Sequence, residues 1–428
     1  MSRQKIDKGL RWLDRYNRQV LMLAVLVGVI LRLGFVLGFP QIGRIEGMDA
    51  FEYHRIAVNL LEGRGYSQDG IHPTIFVAPG YPIFLAGIYS VFGHDPYRAK
   101  AVQTVLGAVL VLVAYGFARE YVPQVGALVV AWLVAVFPDL VVISNYLYTE
   151  NLFVPLFLLS LWLVRRAWRR RSLGLAALAG VVFAAATLTR GTSMLVPFLL
   201  AGLYLIIDRF RWRTIALSTV LVAVFAAAML PWGLRNKREF GVFVPVAVGT
   251  GDVLFTGNYL PFDGEYRYEA TRAVIDSLTL GMPLVERDQV LRKVALASIK
   301  AHPGATLWLT VRKFFRFWLR IYENVPSGKP RTTNWLISLP LALSYYPLLL
   351  LSLAGVWTIR AAWRRWADVL LTLLYFGGVH AVLLPIPRYR MPIIPLLAVL
   401  AVAAILAWFG SRESTDELRE AVVEEIAG

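Results

Sequence analysis

Apolar runs of membrane length recur along this chain, and they limit what it can become. About twenty consecutive apolar residues cross a hydrocarbon core some 30 Å thick. Many segments of the 428-residue sequence reach that length. Only 17% of the residues are charged, too few for a soluble protein of this size. A chain so apolar satisfies its backbone in lipid as helices. The sequence therefore predicts an all-α polytopic membrane protein. About ten spans are expected, near 20–39, 97–117, 124–143, 148–164, 172–189, 192–208, 213–231, 335–357, 367–385 and 391–409.

Charge orients these spans. The sequence carries 44 Lys+Arg against 28 Asp+Glu. In a soluble protein that balance suggests nucleic acid. Here short basic cytoplasmic loops and contact with anionic lipid account for it, and no nucleic-acid partner is expected. Arg119, then Arg165, Arg166 and Arg169–Arg171, then Arg209, Arg211 and Arg213 fall on one side. The opposite turns, Asn145–Glu150 and Thr189–Thr192, contain one cation, Arg190. The basic side is cytoplasmic. Both termini are then inside and residues 40–96 form the first outer loop. A plasma (inner) membrane location is expected, with the active site on the outer face. Val20–Phe39 is too long for the core of a cleavable signal and lacks a small-residue cleavage site, so it is read as the first span. Residues 1–19 are basic and amphipathic, an expected interfacial helix.

Four segments follow: 1–232, a transmembrane module carrying the outer loop 40–96; 233–334, a small mixed outer segment; 335–410, a second transmembrane module; and 411–428, an acidic cytoplasmic tail. Pro79–Gly93 is apolar but short for a span, so it reads as a juxtamembrane helix. Gly249–Asp252 between two valine-rich runs reads as a hairpin turn. Residues 284–301 and 303–320 read as helices divided by His302-Pro303. The second interleaves Trp308, Phe314, Phe315, Phe317 and Trp318 with Arg312, Lys313, Arg316 and Arg320, the pattern of an interfacial helix.

The residues able to do chemistry gather at the expected outer ends. Asp49 begins a helix and Glu52 lies three residues on, which fits a capping box. It equally fits a surface carboxylate that takes a proton from an acceptor hydroxyl or amine. Glu150 sits in an outer turn, as a helix-cap neighbour or a substrate contact. Arg190, Arg235, Arg388 and Arg390 come from distant parts of the chain and are expected on one face. Guanidinium holds phosphate in a bidentate fork, and head-group snorkelling is the alternative. The absence of cysteine excludes disulfides, thiolate metal sites and a cysteine nucleophile. Asp49, Glu52 and His54 are the one grouping for a divalent cation, which is not expected to be the cofactor. No cofactor is firmly expected.

These pieces, in this order, resemble the GT-C-fold membrane glycosyltransferases, on the branch of protein O-mannosyltransferases and the lipid A aminoarabinose transferase. The resemblance rests on Asp49 before a Tyr53-bearing helix, Ala78-Pro79-Gly80-Tyr81-Pro82, Tyr148-Thr149-Glu150 and Leu188-Thr189-Arg190. It also rests on Pro231-Trp232-Gly233-Leu234-Arg235-Asn236 with Gly257-Asn258, and Arg388-Tyr389-Arg390-Met391-Pro392. It implies transfer of a sugar from a polyprenyl-phosphate donor to a lipid, glycan or protein acceptor on the outer face, usually with inversion. Asp49 would be the base. Arg190, Arg235, Arg388 and Arg390 would hold the donor phosphate. Glu150, Tyr53, Tyr81, Asn236, Asn258, Glu52 and His54 would line the substrate. Two positions depart from the family pattern: Ala50 replaces a second acid next to Asp49, and Val77-Ala78 stand where relatives often carry a cation before the Pro-Gly pair. A lipid or sugar transporter, or a non-catalytic scaffold subunit of a glycan-assembly complex, are the competing readings.

Overall fold

The computed structural model describes residues 16–40, 49–264, 268–321 and 335–427. Side chains are described over the same residues except 268–270, 335–338 and 411–427. Most of the expected N-terminal interfacial helix and the acidic side chains of the tail fall outside this description.

The described chain is helical, and no named strand occurs among the described residues. The first helices are α1 (Asn17–Gly38), α2 (Asp49–Leu61), α3 (Gly80–Phe92), α4 (Pro96–Ala118), α5 (Gln124–Val136), α6 (Pro138–Val142), α7 (Glu150–Arg170), α8 (Leu173–Thr189), α9 (Val196–Ile207) and α10 (Trp212–Phe240). Then come α11 (Thr250–Asn258), α12 (Tyr268–Thr279), α13 (Leu284–Ala301), α14 (Pro303–Leu319), α15 (Trp335–Thr358), α16 (Trp363–Val382) and α17 (Ile394–Ala427). Local chemistry sets several ends. Asp95 accepts from the Tyr97 amide and Pro96 opens α4. The Ser172 hydroxyl accepts from the Leu175 amide at the start of α8. Gly241, at φ 73°, ends α10 in the left-handed conformation.

Among the described residues, six helices are long and apolar enough to cross a membrane, and the bent pair Gln124–Val136 with Pro138–Asn145 makes a seventh. Each of the ten expected spans coincides with a helix, and seven of them meet that measure of length and apolarity. The other three are helices of a different kind. Leu173–Thr189 and Gly191–Ile207 are shorter apolar pieces. Seventeen residues of helix rise about 26 Å, at the lower end of the range for a span. α16 carries Arg364, Arg365 and Asp368 in its first turns. The hairpin expected around Gly249–Asp252 is instead the start of α11. α10 also runs to Phe240 rather than stopping near residue 231. The juxtamembrane reading of 79–93 corresponds to α3, a short apolar helix.

The core is continuous through the bundle. Phe153, Phe157, Phe183 and Phe376 are buried together where α7, α8 and α16 meet. A satellite cluster of Phe255, Ile275, Leu291 and Ala295 joins α11, α12 and α13.

Three buried cations hold helix ends. The α5–α6 pair bends by 52°. Pro138 donates no amide, so carbonyls at the end of α5 lack helical partners. Arg32 of α1, 1% exposed, donates to Ala135 O at 2.8 Å and Val134 O at 3.3 Å. Lys313 of α14 is fully buried and donates to Gly257 O, Asn258 Oδ1, Val382 O and Leu383 O at 2.8–3.2 Å. It closes the C-terminal ends of α11 and α16. Arg390 donates to Phe317 O and Trp318 O in the last turn of α14. Lys313→Met should lower stability by about 3 kcal/mol or more, because several buried carbonyls lose their donor. Thermal unfolding in detergent measures this; an unchanged Tm contradicts it.

At the end of the bundle opposite Asp49, Asp368 accepts from Tyr121 and Tyr204 at 2.7 and 2.8 Å, with Arg165 at 3.6 Å. This group ties α16 to α7 and α9, so the ends of the bundle are chemically distinct.

Candidate active site

Four charged side chains meet at the end of the bundle that carries Asp49. Glu150 opens α7 and is 2% exposed. Its Oε1 lies 2.6 Å from a terminal nitrogen of Arg190 and 3.8 Å from Nε of Arg388. Arg388 also donates to Asp49 Oδ2 at 3.0 Å. Thr149 Oγ1 donates to Glu150 Oε2 at 3.1 Å and accepts from Arg190. Asp49 begins α2, Arg190 follows α8, and Arg388 lies in the 3-10 turn before α17. Residues far apart in sequence thus share one ionic group.

Aromatic rings set the planes of the cations. Arg190 lies 4.0 Å over the Tyr389 ring, and Arg388 lies 4.7 Å over Tyr148. Such stacking fixes a guanidinium while leaving its donor edge available. Tyr53 sits within the charges of Asp49, Glu150, Arg388 and Arg190. Burial pushes its phenol well above the usual value, so it stays neutral.

The expected four-arginine convergence narrows to Arg190 and Arg388. Arg235 donates to Thr74 O and Tyr66 O and lies against Tyr66, Trp232 and Phe240. It pins the 66–74 loop to the end of α10. Arg390 is spent on the α14 carbonyls and the Tyr345 ring. Asn236 donates to Val244 O, and Asn258 to Leu254 O and Val382 O. Tyr81 is fully buried and donates to Gln103. Its ring supports Tyr53 edge-on at 5.4 Å. His54 Nδ1 is 2.8 Å from the Tyr89 hydroxyl. Among the described residues no three His, Asp or Glu side chains gather as metal ligands.

Glu52 lies one turn from Asp49. Burial first, then the Asp49 charge, push its carboxyl up to about 7, against the pull of Arg272. The group lacked a sequence signal in two places. Tyr148 and Tyr389 stand in the quoted motifs without a role of their own, and Glu150 gave no hint of holding two arginines.

Gly80 explains why the Ala78–Pro82 stretch matters here. A Cβ at Gly80 would lie 2.5 Å from Thr189 Oγ1 and 2.8 Å from the Thr189 backbone nitrogen. Only glycine lets α3 press against the end of α8, next to Arg190. Gly80→Val should displace that helix end, with a loss of stability of about 1–3 kcal/mol. A variant with unchanged Tm contradicts this reading of the contact.

Comparison with known proteins supports the architecture. The family model for dolichyl-phosphate-mannose-protein mannosyltransferase matches residues 72–233. That stretch holds Glu150 and Arg190; Asp49 and Arg388 lie outside it. No curated protein matches the chain in sequence. The oligosaccharyltransferase of Archaeoglobus fulgidus, tethered with an acceptor peptide containing the NVT sequon, aligns with a TM-score of 0.59 and 16% identity over 96% of this chain and 52% of that one. The same archaeal enzyme, AglB, in complex with an inhibitory peptide and a dolichol-phosphate, aligns at 0.57 and 16%, with the same coverage. ArnT from Cupriavidus metallidurans, bound to undecaprenyl phosphate, aligns at 0.42 and 13% over 91% of this chain and 77% of that one, too distant to add to the argument. The chain spans about half the length of the archaeal oligosaccharyltransferase chains. The helical architecture and the family-model match together give this chain the GT-C fold of membrane glycosyltransferases.

Proposed function

We propose that the protein is a membrane glycosyltransferase that moves a sugar from a polyprenyl-phosphate donor to an acceptor hydroxyl or amine. One observation carries this reading: Arg190 and Arg388 share Glu150, and Arg388 reaches on to Asp49. Two stacked guanidiniums fit a phosphate, and a carboxylate beside them fits a base. The acceptor loses its proton to Asp49 and attacks the anomeric carbon. The bond from that carbon to the phosphate oxygen breaks, and its electron pair leaves on polyprenyl phosphate. Attack opposite the leaving group inverts the anomeric carbon. Arg190 and Arg388 stabilise the charge that grows on the phosphate. The lipid tail lies along the apolar helix faces. The alternation of basic loops supports an outer-face site. The archaeal oligosaccharyltransferase in complex with a dolichol-phosphate, similar in fold, supports the donor class.

The charges gather at the ends of the bundle, which favours surface chemistry over transport. The test is equilibrium binding of a panel of polyprenyl-phosphate sugars to the protein in lipid nanodiscs. Saturable binding of one donor supports the reading; a full panel with no binding overturns it.

Glu52 adds a pH dependence. It sheds its proton as pH rises through about 7, which adds a further negative charge beside Asp49 near the phosphate site. Asp49 and Arg272 are the charges acting on it, and Tyr66 faces it as a neutral phenol. Donor binding should weaken as pH rises through this range, and Glu52→Gln should flatten that limb. A pH profile identical in the variant contradicts the assignment.

A further inference from the structure

We propose that Asp49 occupies the place of the donor phosphate on Arg388, so that donor binding itself frees the base. The inference rests on the glycosyltransferase reading and adds an order of events to it.

Charge balance points to an exchange. Among the described residues, the cluster pairs two cations, Arg190 and Arg388, with two carboxylates, Glu150 and Asp49. A neutral cluster gives an incoming phosphate little net attraction. A sugar phosphodiester carries one negative charge, so one carboxylate has to yield to it. The two carboxylates are not equivalent. Glu150 is 2% exposed and held by Arg190 and by Thr149. Removing its partners would strand a buried charge at a cost of several kcal/mol. The Asp49 side chain is 52% exposed and meets Arg388 through one hydrogen bond at 3.0 Å. Water replaces that bond at little cost, since exposed ion pairs contribute about 0–1 kcal/mol.

Phosphate is also the better ligand for Arg388. Its oxygens accept two parallel N–H bonds from one guanidinium. The swap exchanges one negative charge for another, so the total is unchanged. Its chemical consequence falls on Asp49. An Asp49 oxygen held in the Arg388 hydrogen bond is not free for the acceptor, and loss of the pair frees it to accept the acceptor's proton. Proton abstraction from the acceptor is therefore switched on by the donor. Donor binds first, acceptor second, and Asp49 is not competent without a leaving group in place.

The test uses farnesyl phosphate as a short soluble probe, titrated into the full-length protein in nanodiscs. Wild type and Asp49→Asn are compared; asparagine has the same size at a half-exposed position, and Tm checks the fold. Asp49→Asn should bind the probe about three- to tenfold more tightly, because the competing carboxylate is gone. Glu150→Gln should bind it more weakly, because the arginines lose their anchor. Equal or weaker binding by Asp49→Asn, with wild type still binding, overturns the exchange and leaves the phosphate site standing. No binding by wild type or by either variant overturns the phosphate site itself, and the exchange with it.

Discussion

Asp49→Asn is expected to reduce sugar transfer by about two to four orders of magnitude, the usual contribution of a positioned base. The protein should keep its fold and its donor. Asp49 opens α2 at the wet end of the site, and its one described partner is Arg388. Asparagine preserves size and an accepting oxygen, so Arg388 keeps a contact while the proton acceptor is lost. The signature is a fall in kcat without a rise in KM. Release of polyprenyl phosphate from a radiolabelled donor, followed over time, measures it. Wild-type turnover by the variant would remove Asp49 from the reaction. A parallel loss of donor binding would make it a structural residue instead.

Arg190→Ala is expected to weaken donor binding by about 100-fold and to destabilise the protein as well. Arg190 donates to Glu150 at 2.6 Å and to Thr149 at 3.2 Å, and covers Tyr389. Its removal leaves the buried Glu150 with Arg388 at 3.8 Å as its remaining cation. Stranding a buried charge costs about 3–5 kcal/mol. Two controls separate the roles. Arg190→Lys keeps the charge but loses the planar fork, and should weaken binding about tenfold. Pairing Arg190→Ala with Glu150→Gln removes the stranded charge, so Tm should recover while donor affinity does not. Recovery of both would make Arg190 a structural partner of Glu150 alone.

Much of this arrangement was legible in the sequence, for a physical reason. Apolar length fixes where helices lie, and alternating loop charge fixes which ends share a side. That was enough to place Asp49, Glu150, Arg190 and Arg388 at one end. It was not enough to say which of them touch. Arg235 and Arg390 sit at the same end by that reasoning, yet their partners are backbone carbonyls of Thr74, Tyr66, Phe317 and Trp318. Carbonyls left open at loop and helix ends have no residue signature. Lys313 was hidden similarly. It shares the inward stripe of α14 with Leu309 and Phe317, while Trp308 and Phe315 face outward. A basic-aromatic pattern does not reveal which cation turns in. The Gly249–Asp252 turn became a helix start because Asp288, from α13, accepts from the Gly249 and Gly251 amides at 2.8 and 2.7 Å. A cap supplied from a distant helix is not encoded locally.

A structure of the protein in nanodiscs with a bound polyprenyl-phosphate sugar tests the central claim most directly. The account predicts the phosphate between Arg190 and Arg388, the anomeric carbon facing Asp49, and Asp49 released from Arg388. A phosphate held at Arg235 or Arg390, or one bound with Asp49 remote from the sugar, would contradict it.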